Sequence, residues 1–184
     1  AMNVTGSGTA IRVLGNVTNV SGGIWTGNGD VTISSTGSVQ VVLNADISGF
    51  SGTMSLGTGT TRLRFNNATN KNDCLGSAAA TFDLGTGSGT LNNFNGGGAT
   101  YDLGALAGGP GTVLSGRSST NVVPPPGTIY RIGANGSSTV FDGQINDGLD
   151  TVSVVKVGAG TLALNGANGF TGSLTASNGT LGGS

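Results

Sequence analysis

Short segments that alternate apolar and polar residues recur along the whole chain, and each is closed by glycine or asparagine. Val39-Gln40-Val41-Val42-Leu43 and Thr161-Leu162-Ala163-Leu164-Asn165 are two of them. A period of two places alternate side chains on opposite faces and is typical of β-strands, whereas the Thr, Ser, Val, Asn and Gly that fill the chain are poor helix formers. The sequence therefore predicts an all-β protein with glycine- and asparagine-rich corners.

Two elements return within the chain and narrow the choice among all-β architectures. Phe82-Asp83-Leu84-Gly85 returns as Tyr101-Asp102-Leu103-Gly104 and, more loosely, as Tyr130-Arg131-Ile132-Gly133. A longer element, Gly49-Phe50-Ser51-Gly52-Thr53-Met54-Ser55, returns as Gly169-Phe170-Thr171-Gly172-Ser173-Leu174-Thr175. A unit of roughly twenty residues is too small to bury its own core and becomes stable by stacking on its neighbours. The repeats predict a single-stranded parallel β-helix, or β-solenoid, of roughly eight or nine coils.

The first repeat also predicts which side chains lie above one another. Phe82, Tyr101 and Tyr130 are expected to form one inward column, and Leu84, Leu103 and Ile132 a second. The residues between them point outward, which places Asp83 and Asp102 one coil apart at the surface, close enough to repel. These outward positions have two interpretations. They are either a row of solvent-exposed side chains without a ligand or a contact surface for sugar or calcium.

The chain is interpreted as one module, residues 1–184, in which one stretch interrupts the rhythm. Residues 108–128 contain Gly108-Gly109-Pro110-Gly111 and Pro124-Pro125-Pro126. Proline cannot donate to a strand ladder, so this stretch is expected to protrude as a loop. Residues 66–73 are a second candidate loop because all but Ala68 are polar.

Charge and composition exclude several classes of protein. The net charge is −1 and charged residues make up only 8% of the chain, so no basic field is available to attract nucleic acid. No apolar run approaches the ~18 residues of a membrane helix, and no membrane insertion is expected. An apolar fraction of 35% argues against disorder. Cys74 is the single cysteine and is expected to be a small buried residue.

Catalytic and metal-binding patterns are sparse. The chain has no histidine and its acidic residues are all aspartates, none of them in an apolar run that would raise its pKa. We therefore predict no enzymatic activity, no catalytic residues and no cofactor. Asp147 and Asp150 offer clustered oxygen ligands for calcium, but the segment lacks an EF-hand pattern, and a turn stabilised by side-chain hydrogen bonds is the alternative.

The region from Val140 to Leu181 resembles the autotransporter-associated β-strand repeat. Lys156-Val157-Gly158-Ala159-Gly160-Thr161-Leu162 is followed by Asn168-Gly169-Phe170-Thr171-Gly172 and by Asn178-Gly179-Thr180-Leu181, in the order of the family pattern. Phe170 stands where the family usually has tyrosine. The resemblance implies a right-handed parallel β-helix, export across a bacterial envelope, and a stalk or adhesive role. Lys156 belongs to the repeat, so a structural role is expected for it.

A solenoid is expected to present a long, flat and regular face, which suits a long polymer. This face and the resemblance favour a secreted or bacterial cell-surface module that binds a polysaccharide or a cell-surface glycan without catalysis. The alternative is a passenger stalk with no ligand of its own. Because the chain stops where a further coil is expected, it is interpreted as part of a larger secreted protein. Trp25 has two interpretations, an exposed sugar contact or a cap on the N-terminal end of the core. The predicted contact residues are Trp25, Asp83, Asn92, Asn93, Asp102 and Arg131.

Overall fold

The computed structural model describes residues 2–6, 9–13, 17–35, 39–57, 61–66, 74–95, 98–120 and 127–183. This part of the chain forms strands, turns and bends, with no helix, and so no helix that could cross a membrane. The eighteen strands of the described residues are β1 Met2–Asn3, β2 Thr9–Val13, β3 Val17–Gly27, β4 Val31–Ser35, β5 Val39–Phe50, β6 Thr53–Leu56, β7 Thr61–Phe65, β8 Gly76–Asp83, β9 Thr90–Asn93, β10 Thr100–Ala107, β11 Val113–Ser115, β12 Thr128–Ile132, β13 Thr139–Phe141, β14 Gln144–Asn146, β15 Val152–Lys156, β16 Thr161–Leu164, β17 Leu174–Ala176 and β18 Thr180–Gly183.

The strands form three sheets in which every pairing is parallel. The first sheet has the order β1-β3-β5-β7-β9-β11-β14, the second β2-β4-β6-β8-β10-β12-β15-β17, and the third β13-β16-β18. Successive strands belong to different sheets. The chain forms a strand in one sheet, then a strand in the next, and then returns to the first sheet beside its earlier strand. This arrangement confirms the predicted parallel β-solenoid, with about six turns; its right-handed winding stays a prediction.

The core is a narrow apolar column between the sheets. In the first sheet, in-register residues of successive coils are all buried. They are Val41, Leu63, Leu91, Leu114 and Ile145. Each coil thus covers the apolar side chains of the coil before it, which explains why a single coil is not a stable unit.

The predicted register is right for one pair of coils and wrong for the other. Tyr101 lies opposite Tyr130, and Leu103 lies opposite Ile132, as the repeat predicts. Phe82, however, pairs with Leu106 rather than with Tyr101. The reason is that paired residues of β8 and β10 are 26 positions apart at Gly76–Asp102 and 24 apart at Asp83–Ala107, so the nineteen-position sequence repeat does not correspond to one coil.

The true coils are longer than the sequence repeat indicates. Leu43 pairs with Phe65 in the next coil, 22 positions on, and Leu114 pairs with Ile145, 31 positions on. Fewer coils therefore fit into the chain than the eight or nine predicted. The aromatic residues still meet across the core, with Phe65 in edge contact with Phe82 at 5.5 Å and stacked on Tyr101 at 5.9 Å between ring centroids.

The stretch predicted to protrude as a loop, residues 108–128, is described only in part. Val113–Ser115 forms β11 inside the first sheet, between β9 and β14, so this portion belongs to the stack. The side chains of Val113–Ser115 alternate between partly buried and buried positions, as those of a strand in the stack do. The triple proline falls within residues 121–126, which lie outside the described residues, and a protruding loop stays a prediction there. Of the second candidate loop, only Asn66 is described.

Candidate functional site

Trp25 does not lie on the surface. An exposed Trp25 requires that its neighbour Ile24 point inward, but Ile24 is 50% exposed and Trp25 only 3%. The cause is a pair of register shifts around Ile24 in β3, next to Gly22 and Gly23, which both have positive φ. Trp25 packs into the core near the N-terminal coils, where it lies opposite Met2 of β1. A cap on the N-terminal end of the core stays a prediction.

Asn92 and Asn93 are both buried within β9. Ser118 donates a hydrogen bond from its hydroxyl to Asn92 Oδ1 at 3.2 Å, and Asn93 Nδ2 donates to Thr128 Oγ1 at 3.4 Å. These contacts join β9 to segments 25 or more positions away along the chain. The two amides therefore connect parts of the protein and do not face a solvent-accessible groove.

Asp83 and Asp102 are not neighbours, which corrects the expectation that they repel. Asp83 lies in register with Ser55 and Ala107, and its Oδ1 accepts a hydrogen bond from the N–H of Gly85 at 2.9 Å. Asp102 lies opposite Arg131 in the next coil. Both placements follow because the coil between β8 and β10 is longer than the nineteen-position sequence repeat.

The outer face of the second sheet carries the exposed residues that alternate with the buried Tyr101, Tyr130 and Val154. Two rows cross neighbouring strands in register, about 4.8 Å apart from strand to strand. We call this surface the outer B face, and it consists of Thr100, Ile129 and Ser153 in one row and Asp102, Arg131, Val155 and Thr175 in the other. It has mixed polarity, and Asp102, Ser153 and Val155 on it are half-buried.

A bidentate ion pair lies at the centre of the outer B face. Arg131 Nε and Nη2 donate to the two carboxylate oxygens of Asp102 at 2.5 and 2.7 Å. The hydrogen bond and the charge of Asp102 raise the pKa of Arg131. Because both groups are partly exposed, the pair adds only about 0–1 kcal/mol to stability, but it holds the guanidinium plane against the face. Ile129 is exposed beside it.

Asp147, one of the two candidate calcium ligands, joins neighbouring coils. Its Oδ1 accepts from the N–H of Val152 at 2.8 Å, and its Oδ2 accepts from the Thr171 hydroxyl at 2.6 Å. Burial raises the pKa of Asp147, but the hydrogen bonds from Thr171 and Val152 together outweigh it, so the net pKa is lowered.

Asp150 has a similar arrangement. Its Oδ1 accepts from the N–H of Arg117 at 2.7 Å, and its Oδ2 accepts from the Thr128 hydroxyl at 2.9 Å. Within the described residues, no three acidic, histidine or cysteine side chains come together in a way that could hold a metal ion. Calcium at these aspartates would have to replace hydrogen bonds that already tie the coils together.

Corner side chains that bond across one coil are a feature that the sequence analysis missed. Asp30 accepts from the N–H of Thr53, and Asp142 accepts from Asn165 Nδ2, in each case 23 positions further on. Asp147 and Thr171 are 24 positions apart. In the sequence, these pairs are an aspartate and a polar residue 23 or 24 positions later. The pairs can be predicted only when the number of residues in a coil is known.

Lys156 is completely buried at a corner between β15 and β16. Its ammonium group donates to the carbonyl oxygens of Val157 at 2.5 Å, Gly158 at 2.8 Å and Asn178 at 3.3 Å. Burial lowers the pKa of this lysine. Gly179 is required beside it, because its φ is +72° and a Cβ atom there would lie 2.3 Å from the carbonyl oxygen of Gly158 and 2.5 Å from that of Gly160. The geometry fits the structural role expected for Lys156.

The described residues therefore form a parallel β-solenoid whose second sheet carries in-register rows on its outer face. The sequence matches no protein-family model and no curated protein sequence.

Proposed function

We propose that this chain is a non-catalytic structural segment of an extracellular bacterial protein, a β-solenoid spacer that holds other parts of that protein apart. The observation that carries the proposal is the use made of its carboxylates. Each aspartate in the described residues accepts a hydrogen bond from the protein itself. They are Asp30, Asp46, Asp83, Asp102, Asp142, Asp147 and Asp150. Five of the seven bond to a residue in another coil, whereas Asp46 and Asp83 accept from N–H groups two positions further on. Carboxylates used in this way serve length and rigidity rather than turnover.

The resemblance to autotransporter-associated repeats is part of this proposal, and the corner at Lys156 supports it. The lysine and the glycines of the Lys-x-Gly-x-Gly run have a joint purpose, since the buried ammonium needs close backbone carbonyls and glycine corners permit that approach. Because this corner needs the lysine and the glycines at fixed positions, a high glycine content alone does not account for the resemblance. Secretion to the bacterial surface is proposed on the same ground.

The test is retention by polysaccharides, using affinity electrophoresis with soluble polymers and pull-down with insoluble plant and microbial ones. A spacer is expected to pass through the whole panel without retardation and to release no reducing or unsaturated sugar. Release of such sugars would falsify the non-catalytic proposal. Retention by one polymer class would replace the spacer with a binding module.

A polysaccharide-binding module is the second candidate, and the outer B face is the observation that favours it. A long polymer needs a long, regular surface, and in-register rows meet that requirement. Ile129 supplies an exposed apolar surface next to the Asp102–Arg131 pair, whose polar edges can bond to hydroxyl groups. If a polymer retains the chain, Arg131→Ala and Ile129→Asp should weaken retention. Val140→Asp, at an exposed apolar position outside this face, should not.

A further inference from the structure

Two arginines of one strand lie on the outer face of the first sheet. Arg62 and Arg64 flank Leu63 in β7, and Leu63 is buried in the core, so both guanidinium groups extend from the opposite face. The cations therefore lie side by side in the middle of the stack. Their strand neighbours on this face are all uncharged, namely Gln40 and Thr90 beside Arg62, and Val42 and Asn92 beside Arg64.

Arg64 is largely enclosed by the protein. Its side chain is part of a residue that is only 9% exposed, and its guanidinium carbon lies 4.9 Å from the centroid of the Phe94 ring. This cation–π contact attracts the charge to the ring but provides no oxygen acceptor for the five N–H donors of a guanidinium. Burial and the neighbouring charge of Arg62 both lower the pKa of Arg64. The surroundings therefore disfavour the charge that an arginine always carries.

The protein itself does not use the donors of this pair. Arg64 Nε is buried and has no hydrogen-bond partner, and neither arginine belongs to an ion pair within the described part of the chain. In contrast, Lys156 donates to three backbone carbonyl oxygens and Arg131 donates to Asp102. Buried polar groups are normally hydrogen-bonded, and buried charges are normally paired. Arg64 thus has the geometry of a donor group for an acceptor that is not one of these residues.

We propose that Arg62 and Arg64 bind a small oxyanion from solution, namely a sulfate, a phosphate or a carboxylate. A guanidinium donates parallel hydrogen bonds to such a group, and the second arginine adds charge and further donors on the same face. The Phe94 ring holds the guanidinium of Arg64 in place. Because Arg64 is enclosed and Arg62 is half-buried, a small free anion fits this position better than a polymer that lies across the sheet. The inference goes beyond the proposed function, since a spacer that binds an anion remains a spacer.

The test titrates the unaltered chain with sodium sulfate, sodium phosphate and sodium acetate by isothermal titration calorimetry, with sodium chloride at equal ionic strength as the reference. Arg62→Gln and Arg64→Gln are compared with Arg131→Gln, the matched control, because each variant removes one positive charge and Arg131 lies on the second sheet. Since Arg62 is half-buried, Arg62→Gln provides the comparison if Arg64→Gln does not fold. A second measurement records the thermal midpoint with each salt, because a ligand that binds only the folded chain raises it.

At least one oxyanion is expected to bind the unaltered chain and to raise its midpoint more than chloride does. Arg62→Gln and Arg64→Gln should weaken this binding by about tenfold or more, whereas Arg131→Gln should keep it. Equal weakening by all three variants overturns the proposal, because an adventitious ion only is then bound by the general charge of the chain. Absence of binding by every oxyanion overturns it as well. Failure of the spacer proposal is distinguishable, since it is measured by retention on polysaccharides.

Discussion

The ammonium group of Lys156 lies 3.3 Å from the carbonyl oxygen of Asn178, which belongs to the following coil. The same group also donates to the carbonyl oxygens of Val157 and Gly158 in its own corner. One buried cation thus holds a tight turn closed and attaches the next turn to it. The relationship explains why a charged residue occupies a fully buried position in a chain with so few charges.

Replacing Lys156 should destabilise the fold. In Lys156→Met the side chain keeps much of its length, but three backbone carbonyls lose a charged donor. Loss of buried hydrogen bonds of this kind costs about 2–4 kcal/mol. Urea unfolding measures the difference. Arg131→Met is the control, because that cation is half-exposed and its removal should change the free energy of unfolding by less than about 1 kcal/mol. Equal effects of the two variants would contradict the role of Lys156.

Asp147 should make stability depend on acidity. Its hydrogen bonds hold the folded-state pKa below the unfolded value of about 3.9, so its contribution is complete at neutral pH. The contribution is lost as the pH falls through about 4 towards the lower folded pKa, because the carboxylate must then be protonated. Asp147→Asn should therefore cost about 1 kcal/mol at pH 7, an amount reduced by partial exposure, and less at pH 2. A gap of equal size at both pH values, measured by denaturant titration, contradicts this explanation.

Cys74 should be unreactive while the protein is folded. The side chain is fully buried, and burial raises the pKa of the thiol to about 12. Because the thiolate is the reactive form, Ellman's reagent should leave the native protein unmodified and react with one thiol per chain in denaturant. Rapid modification under native conditions would show that the thiol is accessible.

Gly104 should be intolerant of a side chain. A Cβ atom at this position would lie 2.5 Å from the carbonyl oxygen of Ala80 and 2.7 Å from that of Ala78, both in the neighbouring coil. Gly104→Ala should therefore force the coils apart and cost about 1–3 kcal/mol.

Gly87 offers the matched control for that substitution, since nothing lies within 4 Å of a Cβ atom there. Gly87→Ala should leave the thermal midpoint unchanged or raise it slightly. If both alanine variants melt at the same temperature, the close approach of coils at Gly104 is not a constraint.

The alternation of side chains was a reliable guide where the backbone is regular and failed where glycine interrupts it. Tyr101 and Tyr130 are in register as the repeat predicts, because β10 and β12 pair without irregularity. Ile24 is exposed and Trp25 is buried, the reverse of what a surface contact by Trp25 requires, because the strand shifts register next to Gly22 and Gly23. A local pattern carries no information about such a shift, since the partner strand decides where it occurs.

The outer B face shows the same limit for the candidate site. Asp102 and Arg131 were both predicted to point outward, but their ion pair depends on the pairing of β10 with β12. Asn92 and Asn93 look like typical surface amides in the sequence, and they are buried because segments 25 or more positions away pack against them. No property of the two residues themselves reveals that cover.

The amino-acid sequence alone determined that the chain is built from short strands with glycine corners, and that these strands are stable only when stacked. Both follow from local physics, namely the period of the side chains, backbone freedom and the amount of apolar surface a unit can bury. Tertiary structure alone decided the length of each coil, and with it the neighbour of every side chain. Coil length varies because loops of different length fit between the same strands. Asp83 therefore lies beside Ala107, while Asp102 meets a cation.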